Sequence, residues 1–271
     1  MKVAHHLRKS FQQPPCYGLG TVLMMAACRL REGGVPSFAH CGSLNWFAAD
    51  KTRACNDLFG CYVPAPNVTD ARLRGVLPGN HSKDRNSVAW TASAARLMLD
   101  GAAPAPAAEP CVAVHVRRGD ACANRDRRCF SDEEYARAAR ELLTRGDEYV
   151  LIVGDDDVAH LTTLFDVEVR SRARRVLPRA DARNLTIDKM RSRKILIEQN
   201  IGRLGDDPVA TLLADVRDAR RCRAIVGSFK AGVTKLIYSL MTADRGKAPP
   251  YRALDGRPGD ITRNVATCFI Y

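Results

Sequence analysis

Two adjacent arginines, Arg117 and Arg118, close the segment Val112-Ala-Val-His115-Val-Arg-Arg-Gly119-Asp120. Each guanidinium is a permanent planar cation whose donors form a fork that fits two phosphate oxygens at once. Delivered together beside a glycine, with Asp120 as a further polar group, they suit an anionic ligand. A diphosphate fits best, because its charge grows as a leaving group departs. The plainer alternative is a buried strand followed by solvated surface arginines. Comparable chemistry recurs downstream. Asp155-Asp156-Asp157 is a D-x-D-like triplet, readable as a divalent-ion site or as acids capping a helix. Gly227-Ser228-Phe229-Lys230 offers backbone amides and the Ser228 hydroxyl either to a phosphate or to a simple helix cap. Asp215 lies at the border of an apolar helix face, where a carboxylate needs a partner: a purine edge, Arg217 or Arg220. His115, inside an apolar strand, is a hydrogen-bonded core histidine or a base contact. For a general base, the loop after Asp120 offers Asp126, Asp132, Glu133 and Glu134. Capping occupies Glu134, so Asp126 is the candidate to take a proton from an acceptor hydroxyl.

The elements that must position these groups can be read from apolar patterning. Val112–Val116, in which valines alternate with Ala113 and His115, and Tyr149–Val153 read as buried strands, and Arg223–Val226 reads as a third strand. Between them lie helices. Ser131-Asp-Glu-Glu134 is a capping box that starts a helix running to about Arg145. Asp207-Pro208 provides an N-cap and a first-turn proline, after which Val209, Leu212, Leu213, Val216 and Ala219 line one face. The helix after Lys230 turns Val233, Leu236, Ile237, Leu240 and Met241 inward. Strands alternating with helices predict an α/β fold with a parallel sheet covered on both faces. Ligands of such sheets sit beyond the carboxyl ends of the strands. That rule gathers Arg117, Arg118, Asp120, Asp155, Asp156, Ser228 and Lys230 at one edge.

Ala102-Ala-Pro104-Ala-Pro106-Ala-Ala-Glu-Pro110 reads as a linker, since its prolines deny both helix and sheet pairing. Before it, Gly18-Leu-Gly20 precedes an apolar helix-like stretch from Val22 to Ala27, as a tight turn into a core helix or as backbone approaching a ligand. The chain of 271 residues carries a formal charge of +12, which predicts anionic partners without choosing among them. Aromatic residues make up only 6%, and none of the basic runs is interleaved with stacking side chains, so nucleic acid is not expected as a partner. Ten cysteines include no C-x-x-C, and no pair is coupled to histidines at zinc spacing, so no metal is expected. Cys55 with Cys61 and Cys122 with Cys129 are spaced to close small loops in an oxidising compartment. Sequons at Asn67, Asn80 and Asn184 point the same way. The first residues contain no apolar run long enough for a signal or anchor, which leaves a cytosolic protein or a fragment of a longer precursor, the fragment being the favoured reading.

His115-Val-Arg117-Arg118-Gly-Asp120, then Val150-Leu-Ile-Val-Gly-Asp155-Asp156, then Leu213-Ala-Asp215 leading into Ala224-Ile-Val-Gly-Ser228-Phe229, resemble the ordered motifs of the α1,6-fucosyltransferases and protein O-fucosyltransferases. The resemblance spans about residues 111–243. A weaker echo joins Gly18-Leu-Gly20 to Leu44-Asn-Trp46. It implies two Rossmann-like domains of the GT-B glycosyltransferase type. Residues 1–101 would form a cysteine-rich α/β acceptor-side domain, 102–110 the linker, and 111–271 the GDP-sugar-binding domain. The implied activity is inverting, metal-independent transfer of fucose from GDP-fucose to a glycan, an N-glycan core or chitin-like sugar, in the Golgi or another secretory lumen. By residue it implies Arg117 and Arg118 on the diphosphate, His115 and Asp215 toward guanine, and Asp155, Asp156, Ser228 and Phe229 around the donor. No prosthetic group is implied, and a membrane enters only through a segment outside this chain. Position 121 is alanine where the α1,6 enzymes usually carry lysine. Their catalytic glutamate falls near Arg125, so a one-residue shift makes Asp126 its counterpart. A protein O-fucosyltransferase and a catalytically silent GDP-sugar- or glycan-binding relative are the competing readings.

Overall fold

In a computed structural model, the protein is described at residue 27 and over residues 88–101, 103–118, 122, 128–155, 158–173 and 208–256. The chain runs α1 (Val88–Asp100), β1 (Glu109–Val116), α2 (Asp132–Arg140), β2 (Tyr149–Gly154), α3 (Ala159–Thr162), β3 (Glu168–Ser171), α4 (Pro208–Ala219), β4 (Cys222–Gly227), α5 (Gly232–Arg245) and β5 (Tyr251–Ala253). The five strands form one sheet in the order β3-β2-β1-β4-β5, and every pairing is parallel. This order is that of a doubly wound sheet, in which the chain reverses its direction of travel between β1 and β4.

Strand alternation builds the two layers. Val112, Val114 and Val116 point to one side with Val150, Ile152 and Val226, against Tyr135, Ala136 and Ala139 of α2 and Leu161 of α3. Cys111, Ala113, Leu151, Val153 and Ile225 point to the other, against α1, α4 and α5. On that second side Leu213, Val216, Ala219, Leu236, Ile237, Leu240 and Met241 are buried, as the helical spacing predicted. Both faces of β1, β2 and β4 are covered, so their continuous apolar runs have no solvent-facing positions to alternate with.

Helix α1 shares this core through Ala94, Ala95, Leu97, Met98 and Leu99. A division of the chain at residue 101 therefore separates α1 from the body it packs against. Arg220 fastens the same contact: its guanidinium donates to Asp244 of α5 at 2.8 Å and also pairs with Asp100 of α1. The capping box at Ser131 is present in both directions, with Ser131 Oγ accepting from Glu134 N at 3.3 Å and Glu134 Oε2 from Ser131 N at 3.0 Å. The helix it starts ends at Arg140 rather than Arg145, because Asp147 takes the Thr144 N–H at 2.6 Å and turns the chain toward β2.

Cys122 and Cys129 are bonded, as their spacing predicted. A second disulfide joins Cys111 at the start of β1 to Cys222 at the start of β4, 111 residues apart. Among the described residues, no helix is long and apolar enough to cross a membrane.

Candidate functional site

The carboxyl ends of β1, β2 and β4 meet at one edge, and local backbone chemistry decides what each presents. At the β2 end, Gly154 adopts φ +146°, and a Cβ there would lie 2.0 Å from the carbonyl oxygen of Val116. Only glycine permits that approach. It brings Asp155 against the tip of β1, where Asp155 N–H donates to Val116 O at 3.2 Å. The Asp155 carboxylate accepts from Arg118 N at 2.7 Å and forms an ion pair with the Arg117 guanidinium.

The two arginines then part company. Arg118 is 2% exposed: its Nε donates to Phe130 O at 2.9 Å, its Nη2 pairs with Asp132 at 2.6 Å, and its guanidinium lies 5.2 Å from the Tyr135 ring centroid. Its carbonyl accepts from Cys122 N at 2.6 Å, and Cys122 is in turn bonded to Cys129, the neighbour of Phe130. The Arg117 side chain stays 25% exposed, while its backbone N–H donates to the Tyr135 hydroxyl at 3.1 Å. Burial pushes the Tyr135 phenol up to about 12, so that hydroxyl keeps its proton. Of the pair, Arg117 is the more exposed, and Arg118 is enclosed by Phe130, Asp132 and Tyr135.

His115 and Asp215 lie on the side of the sheet that carries α4 and α5. His115 is buried, and its Nδ1 shares a 2.7 Å hydrogen bond with Thr234 Oγ1 on α5. Burial, reinforced by the Arg117 charge, lowers the imidazole from 6.5 to about 3, so the ring is neutral at any physiological pH. Asp215 is buried and faces Arg172, which follows β3, at 3.7 Å; Arg172 also pairs with Asp218 at 2.6 Å. Arg220 is held by Asp100 and Asp244.

No protein-family model, curated protein or solved structure matches the chain. The site therefore rests on its own geometry. After β4, the turn at Ser228 and Phe229 is occupied by a carboxylate that the sequence did not bring to notice. Asp255, just past β5, accepts from Phe229 N at 2.8 Å, from Lys230 N at 3.0 Å and from the Ser228 hydroxyl. The Phe229 ring is buried against Tyr238 and Tyr251, with ring centroids 5.5 Å apart, so Phe229 faces the site edge through its backbone. A phosphate at those amides would meet a negative charge already in place.

Asp120, Asp126 and Asp156 lie outside the described residues, as do the Gly18-Leu-Gly20 turn, Leu44-Asn-Trp46, the three sequons and the Cys55–Cys61 pair. The structure brings together His115, Arg117, Arg118 and Asp155, with Thr234 and Tyr135 as additional members. Ser228 and Phe229 lie across the β1–β4 boundary from Arg117, and Asp215 shares the His115 side of the sheet. Among the described residues, no three His, Cys, Asp or Glu side chains cluster as a metal site requires.

Proposed function

We propose that this chain is a GDP-sugar-dependent glycosyltransferase that moves fucose to a glycan acceptor with inversion. One observation carries the reading: the fucosyltransferase-like string His115-Val-Arg117-Arg118 ends β1 and Gly227-Ser228-Phe229 ends β4. They flank the point where the sheet order reverses, which is where doubly wound sheets bind nucleotides. Arg117 is exposed enough to clamp the diphosphate, with Asp155 orienting its guanidinium. Arg118 ties Cys122 and Phe130 to the tip of β1. The neutral His115 ring and the Asp215 carboxylate recognise the guanine, Asp215 accepting from its ring and exocyclic N–H groups.

In the reaction, the acceptor hydroxyl oxygen bonds to the anomeric carbon as the bond from that carbon to the phosphate oxygen breaks. Asp126 takes the hydroxyl proton, and GDP leaves with its new charge against Arg117. The architecture proposed is GT-B, with the described sheet as the donor half and the chain's N-terminal part on the acceptor side. Two disulfides among the described residues support a secretory lumen such as the Golgi.

Ala121 and Arg125, which replace the family's lysine and glutamate, favour a second reading, a silent GDP-sugar-binding relative. Turnover separates the two. GDP release from GDP-fucose is measured with and without chitin oligomers or a biantennary N-glycan, on wild type and Asp126→Ala. The enzyme reading expects acceptor-dependent release that falls by about 10²–10⁴-fold in the variant. Release absent from wild type supports the silent relative, and full activity in Asp126→Ala removes Asp126 as the base.

A further inference from the structure

We propose that Asp255 is a positioning residue that fills the amide cradle between β4 and α5 with its own carboxylate. It thereby keeps a ligand's phosphate groups off that turn and on the Arg117 side of the sheet reversal. The proposal rests on the functional reading only in taking the ligand's anion to be a diphosphate. Asp255 receives three donors at once: the N–H groups of Phe229 and Lys230, at 2.8 and 3.0 Å, and the Ser228 hydroxyl. These are the donors a phosphate would need from this turn.

The carboxylate is delivered by backbone geometry. β5 pairs with β4 in the register Ile225↔Tyr251, Val226↔Arg252 and Gly227↔Ala253. Leu254 N–H then donates to Gly227 O at 3.1 Å, and Leu254 packs against the α2 side of the core. Residue 255 is the first position free to reach over the turn. From below, the Phe229, Tyr238 and Tyr251 rings meet at 5.5 Å and fix the turn's floor. A carboxylate so held and a phosphate cannot share the same donors, and their like charges repel at that range. The contrast with Arg117 sets the polarity of the site. Arg117 is itself paired with Asp155, but its side chain stays 25% exposed, whereas at the turn two backbone amides and a hydroxyl all converge on one internal carboxylate.

Calorimetric titration with inorganic pyrophosphate, and separately with GDP, tests this on the full chain as wild type, Asp255→Asn, Asp255→Ser and Glu141→Gln. Thermal melting checks that each variant is folded. Both Asp255 variants are expected to bind pyrophosphate about tenfold or more tightly than wild type, since charge-assisted donors become available. Glu141→Gln makes the same change in net charge at an exposed pair with Arg252 and is expected to leave the affinity unchanged. Equal or weaker binding in the Asp255 variants, or an equal gain in Glu141→Gln, overturns the proposal. Should both Asp255 variants unfold, the wild-type amide resonances decide. Phe229 and Lys230 signals that stay fixed while pyrophosphate saturates support it, and signals that move in step with saturation contradict it. Failure of the functional reading looks different: GDP binding no tighter than pyrophosphate in any variant removes the guanosine assignment and leaves the Asp255 result standing.

Discussion

Arg117 and Arg118 share one chemistry and stand in opposite circumstances. Arg118 is enclosed, with Phe130, Asp132 and Tyr135 around its guanidinium, so truncating it strands the Asp132 charge and the Phe130 carbonyl. Arg118→Ala is expected to lower unfolding free energy by about 3–5 kcal/mol, the range for losing one partner of a buried pair. Arg117→Ala is expected to lower it by about 1 kcal/mol or less, because that pair is partly solvated. Urea unfolding of the two variants beside wild type reads the difference directly. His115 gives a pH signature of its own. Its folded pKa, about 3, lies below the ordinary 6.5, so the unfolded chain binds a proton that the folded chain refuses. Stability therefore falls as pH drops from about 6.5 toward 3 and is regained above that window. In His115→Gln, acid unfolding curves are expected to lose that part of the slope, while an unchanged slope would assign the acid sensitivity to other groups.

Among the elements, the β2 end is the most constrained. Gly154→Ala would place a methyl group 2.0 Å from Val116 O in a backbone conformation hostile to side chains. A loss of at least about 2 kcal/mol is expected, together with weaker ligand binding, because Asp155 would leave the β1 tip. Comparing the melting temperature and GDP affinity of that variant with wild type checks both. The elements legible in the sequence were those whose residues reveal their own burial. Val112–Val116, Tyr149–Val153 and the Ala224–Val226 part of Arg223–Val226 are apolar but for the buried His115 because both sheet faces are covered, and Ser131 with Glu134 announces a helix start within four residues. Edge strands gave no such signal. Glu168–Ser171 is charged and largely exposed, and Tyr251–Ala253 is only three residues long. The polar partners escaped for a related reason. Asp255 reaches Ser228 only once β5 lies beside β4, and Arg172 reaches Asp215 only once α4 packs on the sheet. The Cys111–Cys222 bond likewise joins residues that only the sheet makes neighbours, whereas Cys122 and Cys129 close a local loop.

At the scale of the whole described fold, the covalent and ionic ties and the candidate site lie at opposite ends of the same strands. At their starts, β1 and β4 are joined by the Cys111–Cys222 disulfide. Closing a loop of that length removes chain entropy worth about 4–5 kcal/mol in the unfolded state. Nearby, the buried Arg220 with Asp100 and Asp244 locks α1 to α5. At their carboxyl ends, the same two strands stay paired through His115 and Gly227 and then lead into Arg117 on one side and the Asp255-filled turn on the other. We propose that a guanosine diphosphate sits there with its phosphates on Arg117. Calorimetric titration of GDP into wild type and Arg117→Ala tests it most directly. Saturable binding to wild type, weakened about tenfold or more in a variant that melts normally, is the expected result. No binding to wild type, or equal affinity in Arg117→Ala, would contradict it.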